Sequence, residues 1–348
     1  MQNDAIYLTR NHTVASFLKD CSACAACQTA CPFLEIHGTP DAILQSSDDT
    51  VFLCTNCRAC EPLCPAGLSP ADAFFAAKTE RIGNGMLSKR THKALAGARG
   101  YAQRGHSFPF SAWRPAKTVF WPGCGLAGSL PDAVTAVRRE LTSLLNEPVG
   151  LIVDCCFDPA YQLGDLATVE SALREIEKRF VSGGVERIIT GCVNCAKVLS
   201  EIRAGIRIEH VLQVLPATLF RQELMPESLH HPCPSSRISG LREQAAAICC
   251  TAYRADESPA CCGCGGGLHV LDPDLARMFA VRANSGKRGS KVVTYCVGCR
   301  SAFRSAGIIA HHVLEYLPSL APRTVHISSG RKWLNRLLVG VRAMIDLR

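Results

Sequence analysis

Residues 21–32 read CSACAACQTACP and residues 54–65 read CTNCRACEPLCP, so the chain carries C-x2-C-x2-C-x3-C-P twice. With cysteine at about 6% of positions, three further cysteines and a proline at set offsets from a given cysteine arise by chance on the order of 10⁻⁵ of the time. Two copies exclude accident. Three thiolates on one tight turn can cap three corners of a cube, while the fourth, followed by a proline that redirects the chain, points the other way and serves the neighbouring cube. The spacing therefore assigns one 4Fe–4S cubane to Cys21, Cys24, Cys27 and Cys64, and a second to Cys54, Cys57, Cys60 and Cys31. A pair of zinc knuckles would use C-x2-C pairs and leave the third cysteine of each run idle.

This is the run of bacterial-type ferredoxins, and residues 1–81 are expected to form a small helical dicluster ferredoxin domain. A helix is predicted over 70–81 (PADAFFAAKTER) and a short one between Pro32 and Leu53. Two adjacent cubanes make an electron wire, not a site of substrate chemistry. The whole chain has 348 residues, 47% apolar and 20% charged, enough for two or three ordinary globular domains and unlike a disordered chain. No apolar run approaches the length of a membrane span, and residues 1–20 carry acids and polar groups where a secretory signal has its apolar core, so a cytoplasmic protein is expected. In a reducing compartment, clustered thiols among 21 cysteines read as metal ligands, and the odd total argues against complete disulfide pairing. The formal charge of +8 invites a nucleic-acid reading, but it counts every cysteine as neutral. A cubane on four thiolates is formally about −2, so bound clusters absorb much of the excess and no nucleic-acid partner is expected.

Residues 82–116 are rich in Gly, Lys and Arg (Lys89, Arg90, Lys93, Arg99, Arg104, Arg114) and read as a basic linker, either solvated or docking an acidic partner. Beyond it the chain repeats. CVNCAKVLSEIRAGIRIEHVLQVL from Cys192 matches CVGCRSAFRSAGIIAHHVLEYL from Cys296, including His-Val-Leu at His210 and His312. Upstream, Cys155-Cys156 matches Cys261-Cys262, and Cys124 matches Cys233, at offsets of 104, 106 and 109 residues for the three sets. Strand-like runs at 117–121, 149–153, 187–190 and 291–295 alternate with helical periodicity at 131–145, 166–180 and 273–282. In the first copy each thiol set follows a strand. Strand C-termini of an open α/β sheet converge on one crevice, so Cys124, Cys155, Cys156, Cys192 and Cys195 can meet, and likewise Cys233, Cys261, Cys262, Cys296 and Cys299. Five thiols exceed the need of a cubane or a zinc ion; diverging neighbours suit a larger or distorted cluster, an ordinary cubane with a spare cysteine being the milder alternative.

The C…CC…C-x2-C repeat, with CCGCGGG at 261–267, resembles the cysteine-rich CCG domain of heterodisulfide reductases. Two ferredoxin runs followed by two such domains resemble the fused catalytic subunit of the membrane-associated enzyme, and the same order occurs in iron–sulfur subunits of glycolate oxidase, anaerobic glycerol-3-phosphate dehydrogenase and lactate-utilisation systems. The implied organisation is α/β: ferredoxin domain 1–81, linker 82–116, CCG domains 117–222 and 223–320, and an amphipathic C-terminal helix over 321–348. The resemblance further implies that one or two noncubane 4Fe–4S clusters sit on the two five-cysteine sets and cleave a disulfide or join thiols, in anaerobic respiration. A non-catalytic relay subunit of a flavin-dependent dehydrogenase delivering electrons to quinone is the alternative. Either implies redox partners (a membrane cytochrome, a quinone-reactive subunit or a flavoprotein) and a place on the inner membrane face. The sequence departs from the family at Phe157-Asp158-Pro159, where glycine is expected after the first Cys pair, and in the compact second copy.

His210 and His312 read as packing residues, while His230 and His231, just before Cys233, are candidates to bond a cluster sulfur or protonate a leaving thiolate. Cys249, Cys250 and Cys264 are left over and read as small buried residues. In RKWLNRLLVGVRAMIDLR (331–348), Trp333, Leu334, Leu337, Leu338, Val341, Met344 and Ile345 form an apolar face suited either to an anionic membrane or membrane subunit, or to packing on its own domain.

Overall fold

Prolines start the helices of the N-terminal region: Pro32, Pro40 and Pro70 each open one, where a missing N–H costs nothing. The computed structural model describes residues 13–106, 111, 116–224, 228–250, 260–285, 291–322 and 327–346. Helices Val14–Asp20, Pro32–His37, Pro40–Gln45 and Pro70–Gly83 surround an apolar centre of Phe17, Phe33, Leu34, Val51, Phe52 and Phe74. That centre continues into Leu268, Leu271, Leu275 and Phe279, far along the chain. The N-terminal region is thus packed against the second repeat. The segment expected to be a linker contains a 17-residue helix, Lys89–Gly105, opened by a Ser88 cap and anchored by Leu95 and Ala102. Its Arg99 pairs with buried Asp165 at 2.6 Å, and Gly105 accepts a hydrogen bond from the Cys155 N–H. Pro109, Arg114 and Pro115 lie outside the described residues.

The first repeat is a parallel sheet of β1 (Thr118–Trp121), β2 (Val149–Leu151), β3 (Arg187–Thr190) and β4 (Arg207–His210) in the order β2-β1-β3-β4. Strands this apolar are covered on both faces. Helix Pro131–Leu145 lays Val134, Val137 and Leu141 on the side of Phe120 and Ile189; helix Leu166–Ser182 lays Val169, Leu173, Ile176 and Phe180 on the side of Val119, Trp121 and Ile188. Both stripes have spacings of three and four, the helical period visible in the sequence. The chain leaves β1 in one direction to β2 and returns on the other side as β3, so a switch point lies between the C-terminal ends of β1 and β3. The second repeat keeps β5 (Leu229–His230), β6 (Lys291–Thr294) and β7 (Ile309–His312), also parallel, matching β1, β3 and β4. Among the described residues it has no counterpart of β2.

The C-terminal helix Ser329–Asp346 packs on its own first repeat, but not through the face expected from its apolar residues. It buries Asn335, Arg336, Val339, Gly340 and Ala343, while Leu334, Leu338 and Ile345 stay exposed. Polar groups enter because acceptors await them: Asn335 donates to the Gly128 carbonyl and Arg336 to that of Val153, each at 2.7 Å. No helix among the described residues is long and apolar enough to cross a membrane.

His210 and His312 are packing residues, and the repeat reproduces their role in detail. Each caps the turn after its strand, its Nδ1 accepting from the N–H two residues on (Leu212, Leu314), with Gln213 or Glu315 bonding back. Burial depresses both imidazoles to about 3. The unfolded chain, titrating near 6.5, gains these protons first, so their neutral burial favours folding above that value and stability falls as pH drops from about 6.5 toward 3. Two such groups give a slope of about 3 kcal/mol per pH unit. Denaturant midpoints measured from pH 7 to 5 should fall accordingly, and the His210→Asn/His312→Asn double variant, which keeps a capping side chain, should flatten the profile.

Candidate metal centres

Two cavities in the N-terminal region are lined by thiols. One is bounded by Cys21, Cys24, Cys27 and Cys64 with Phe17, Pro40 and Leu68; the other by Cys31, Cys54, Cys57 and Cys60 with Phe33, Leu34 and Phe74. In each, three cysteines come from one run and the fourth from the other. Both runs curl by the same device: the residues flanking the middle cysteine, Ala23 and Ala25 in one and Asn56 and Arg58 in the other, hold φ between 53° and 66°. For side chains other than glycine this costs about 1–2 kcal/mol each, strain kept where a loop must wrap a site. Burial pushes the Cys27 thiol up to about 11 and raises Cys31 and Cys60, with neighbouring thiols adding to the shift. Sets made only of thiols, in surroundings that oppose their joint ionisation, fit a soft cationic metal core that supplies the missing positive charge. Below the second cavity lies a lysine that spacing could not reveal. Lys78 is fully buried and donates to the Cys54 carbonyl at 2.6 Å, burial lowering it to about 8.

The first repeat gathers its five cysteines at the strand ends. Cys124 opens a short helix after β1, Cys155 and Cys156 follow β2, and Cys192 and Cys195 follow β3. Approach is close: a Cβ on Gly123, whose φ is 82°, would lie 2.9 Å from Cys192 Cβ and 3.1 Å from Cys195 Sγ. Two residues from distant segments join them. A thiol hydrogen bond with Cys155, then the Arg336 guanidinium and the Tyr101 hydroxyl, draw Cys124 down to about 6 against burial. Arg336 comes from the C-terminal helix and stacks 4.4 Å from the Trp333 ring centroid; Tyr101 comes from the supposed linker. Phe157, the counterpart of Gly263 in the second copy, holds φ 65°, close to the 75° of that glycine. The backbone turn survives the substitution as strain.

The second repeat opens onto a solvent-facing cleft of about 630 Å³, lined by Cys233, Cys262, Cys264, Cys296 and Cys299. Its other walls are Thr55 to Arg58 of the N-terminal region, Asn194 and Lys197 of the first repeat, and Arg237. Cys262 and Cys299 sulfurs are 3.2 Å apart, and a His230 nitrogen lies within 4.8 Å of both. His231 turns to the Tyr295 hydroxyl instead, at 2.8 Å. Lys197 is held 2.6 Å from Asp158 and 4.6 Å from the Tyr161 ring centroid. Cys261 is buried behind the cleft wall, its sulfur 3.2 Å from Thr55 Oγ1 and hydrogen-bonded with Cys57, both of which line the cleft. Of the leftover cysteines, Cys249 is buried in the core and Cys250 is exposed, whereas Cys264 belongs to the cleft.

No family model matches the chain. It is 20% identical over 337 residues to an uncharacterized iron–sulfur protein of Methanocaldococcus jannaschii, covering 83% of this chain and 68% of that one. To one of the subunits of the dihydromethanophenazine:CoB–CoM heterodisulfide reductase of Methanosarcina acetivorans it is 23% identical over 281 residues, 69% of this chain and 68% of the relative. To the EtfAB:quinone oxidoreductase of Syntrophomonas wolfei it is 23% identical over 280 residues, 65% of this chain but 38% of that protein's length. These distant likenesses support an iron–sulfur, electron-transferring role of oxidoreductase type with redox partners.

Crowding at Gly123 gives a direct test of the first set. Gly123→Ala adds a clash to an unfavourable φ and should cost about 2–4 kcal/mol in chemical denaturation. Gly184→Ala, with φ 71° but nothing within 4 Å of the added carbon, should cost only about 1–2 kcal/mol.

Proposed function

We propose that the chain is a heterodisulfide reductase-like iron–sulfur subunit that moves electrons between a redox partner and a thiol/disulfide site in the cleft. Two cubanes, on Cys21, Cys24, Cys27 and Cys64 and on Cys31, Cys54, Cys57 and Cys60, carry electrons inward. The five thiols of the first repeat and those of the second hold noncubane clusters. One observation carries the reading: the second N-terminal set touches the second repeat, through Cys57, Thr55 and Cys261, beside the cleft that thiols of the second repeat line. The second N-terminal set thus adjoins the cleft directly, Cys57 lining both.

When bound, the clusters supply single electrons, and the overall conversion is RSSR′ + 2 e⁻ + 2 H⁺ → RSH + R′SH. The protein's own residues bind and orient. Arg58, Lys197 and Arg237 give the cleft a cationic wall for a thiol or disulfide bearing anionic groups. Their ion pairs with Asp72, Asp158 and Glu61 fix these long side chains in place. His230, beside Cys262 and Cys299, is the nearest imidazole to pass a proton to a departing thiolate.

A relay role in a flavin-dependent dehydrogenase complex is the second reading, favoured by the quinone oxidoreductase relative and by the outward stripe Leu334, Leu338 and Ile345 on the C-terminal helix, flanked by Arg331 and Arg342. That stripe would seat a membrane-bound partner on the inner face. Oxygen-free purification decides between the classes. About 16 irons per chain, with matching acid-labile sulfide, are expected if all four sites are filled, and about 8 if only the N-terminal pair is. A paramagnetic species appearing on thiol addition to the oxidised protein supports disulfide chemistry. Full iron without that species supports the relay, and zinc in place of iron overturns both.

A further inference from the structure

Lys78 has no contact with solvent. It rises from helix Pro70–Gly83 where the N-terminal region meets the first repeat, and three oxygens surround its Nζ: the Cys54 carbonyl at 2.6 Å, the Gln162 carbonyl at 3.3 Å and Asn56 Oδ1 at 3.4 Å. Three acceptors match the three N–H groups of an ammonium; a neutral amine offers only two. The first repeat seals the site. At Gly164, φ is 89° and an added Cβ would fall 2.8 Å from Lys78 Cβ.

All three oxygens are neutral. Among the described residues no carboxylate pairs with Lys78, although a charge at this depth is costly without a partner, and the charge that acts on it is the Cys54 thiolate. The cation in the wall of the same cavity is already matched: Arg58 is held by Asp72 and Glu61. The first cavity differs. Among the described residues no charged side chain lines it, and Cys24 is exposed to water, whereas Cys31 and Cys60 of the second set are buried.

We infer that Lys78 sets the reduction potential of the second N-terminal centre: its ammonium replaces the solvent that the first centre keeps, so the second accepts an electron beside the cleft. This rests on the functional reading that both N-terminal sets hold cubanes. One electron leaves the first centre and enters the second, whose charge, thiolates included, goes from about −2 to about −3 while no bond forms or breaks. A fixed positive charge favours the more negative state. Lys78 touches no reacting atom and is a positioning residue.

The test is a redox titration of the full chain, prepared without oxygen and followed by EPR. Lys78→Met removes the charge and keeps the length of the side chain. The reduction equilibrium of the second centre should fall at least about tenfold, which for one electron is a midpoint about 59 mV lower. Iron content and the first centre's midpoint should stay as in wild type. Cys24→Ser perturbs the first centre alone and so tells the two signals apart. Lys78→Gln, which keeps a donor for the Cys54 carbonyl, takes the place of Lys78→Met if that variant does not load, and the same shift is expected. An unmoved second midpoint, or equal shifts in both centres, overturns the proposal. So does loss of about four irons from both variants, which makes Lys78 a residue of assembly. Wild-type protein without iron fails earlier and takes the functional reading with it.

Discussion

Thiolates crowded into an apolar cage repel one another, and the molecule is arranged to manage that repulsion. Three of its four cysteine sets have a buried or nearly buried cation beside them: Lys78 under Cys54, Arg336 near Cys124, and Lys197 near Cys233. Each comes from a different element, and only Lys197 lies near a cysteine motif, on the helix that carries Cys195. Each is also tethered by neutral or ionic partners, the Cys54 and Val153 carbonyls and the Asp158 carboxylate, which hold the charge in place. Burying a cation is costly unless it is compensated, so lysine or arginine at these depths makes sense beside groups destined to carry negative charge. The net positive charge of the chain has a structural address.

The same constraint explains why the parts interlock. The N-terminal region shares an apolar centre with the second repeat, and its Cys54–Arg58 loop forms one wall of the cleft. The first repeat contributes Lys197 and Asn194 to that cleft, and the C-terminal helix reaches back to the first repeat's thiols. The repeat supplied two similar sheets with different surroundings. The first repeat has Trp121 and Phe180 packed near its cysteines. The second has glycine around Cys261 to Gly267, with Cys233 and Cys264 partly exposed at the cleft and Cys261, Cys262, Cys296 and Cys299 buried.

Much of this is legible in the letters because thiol spacing is a geometric statement. The two runs predict two sets of four thiols, each with a crossed fourth cysteine, and the two cavities are lined by those same residues. Strand and helix periodicity locates three of the four strands of the first repeat and its helices closely, as at Arg187–Thr190 and Pro131–Leu145, since stripes of Val, Leu and Ile are forced by two-sided burial, but it misses the edge strand Arg207–His210. What escapes has no period. Tyr101 sits in a segment whose glycines and basic residues suggest a loose linker, yet helix Lys89–Gly105 forms because Ala94, Leu95 and Ala102 find partners in both flanking parts. Arg336 reads as solvent-facing because charge usually is; its burial depends on the distant Val153 carbonyl, with the Trp333 indole of its own helix stacked beside it. Cys264 reads as filler because it lies outside both repeated spacings, yet it lines the cleft.

The bond from Arg336 to Val153 spans 183 positions of sequence. A growing polypeptide leaving the ribosome therefore exposes Cys124, Cys155 and Cys156 long before their guanidinium neighbour has been made, whereas Lys78 follows the two N-terminal runs almost at once. Biosynthesis acquires an order from this. The set around Cys54 has its counter-charge at hand while translation continues, and the thiols of the first sheet must wait for the C-terminal helix to dock before their electrostatic surroundings are complete.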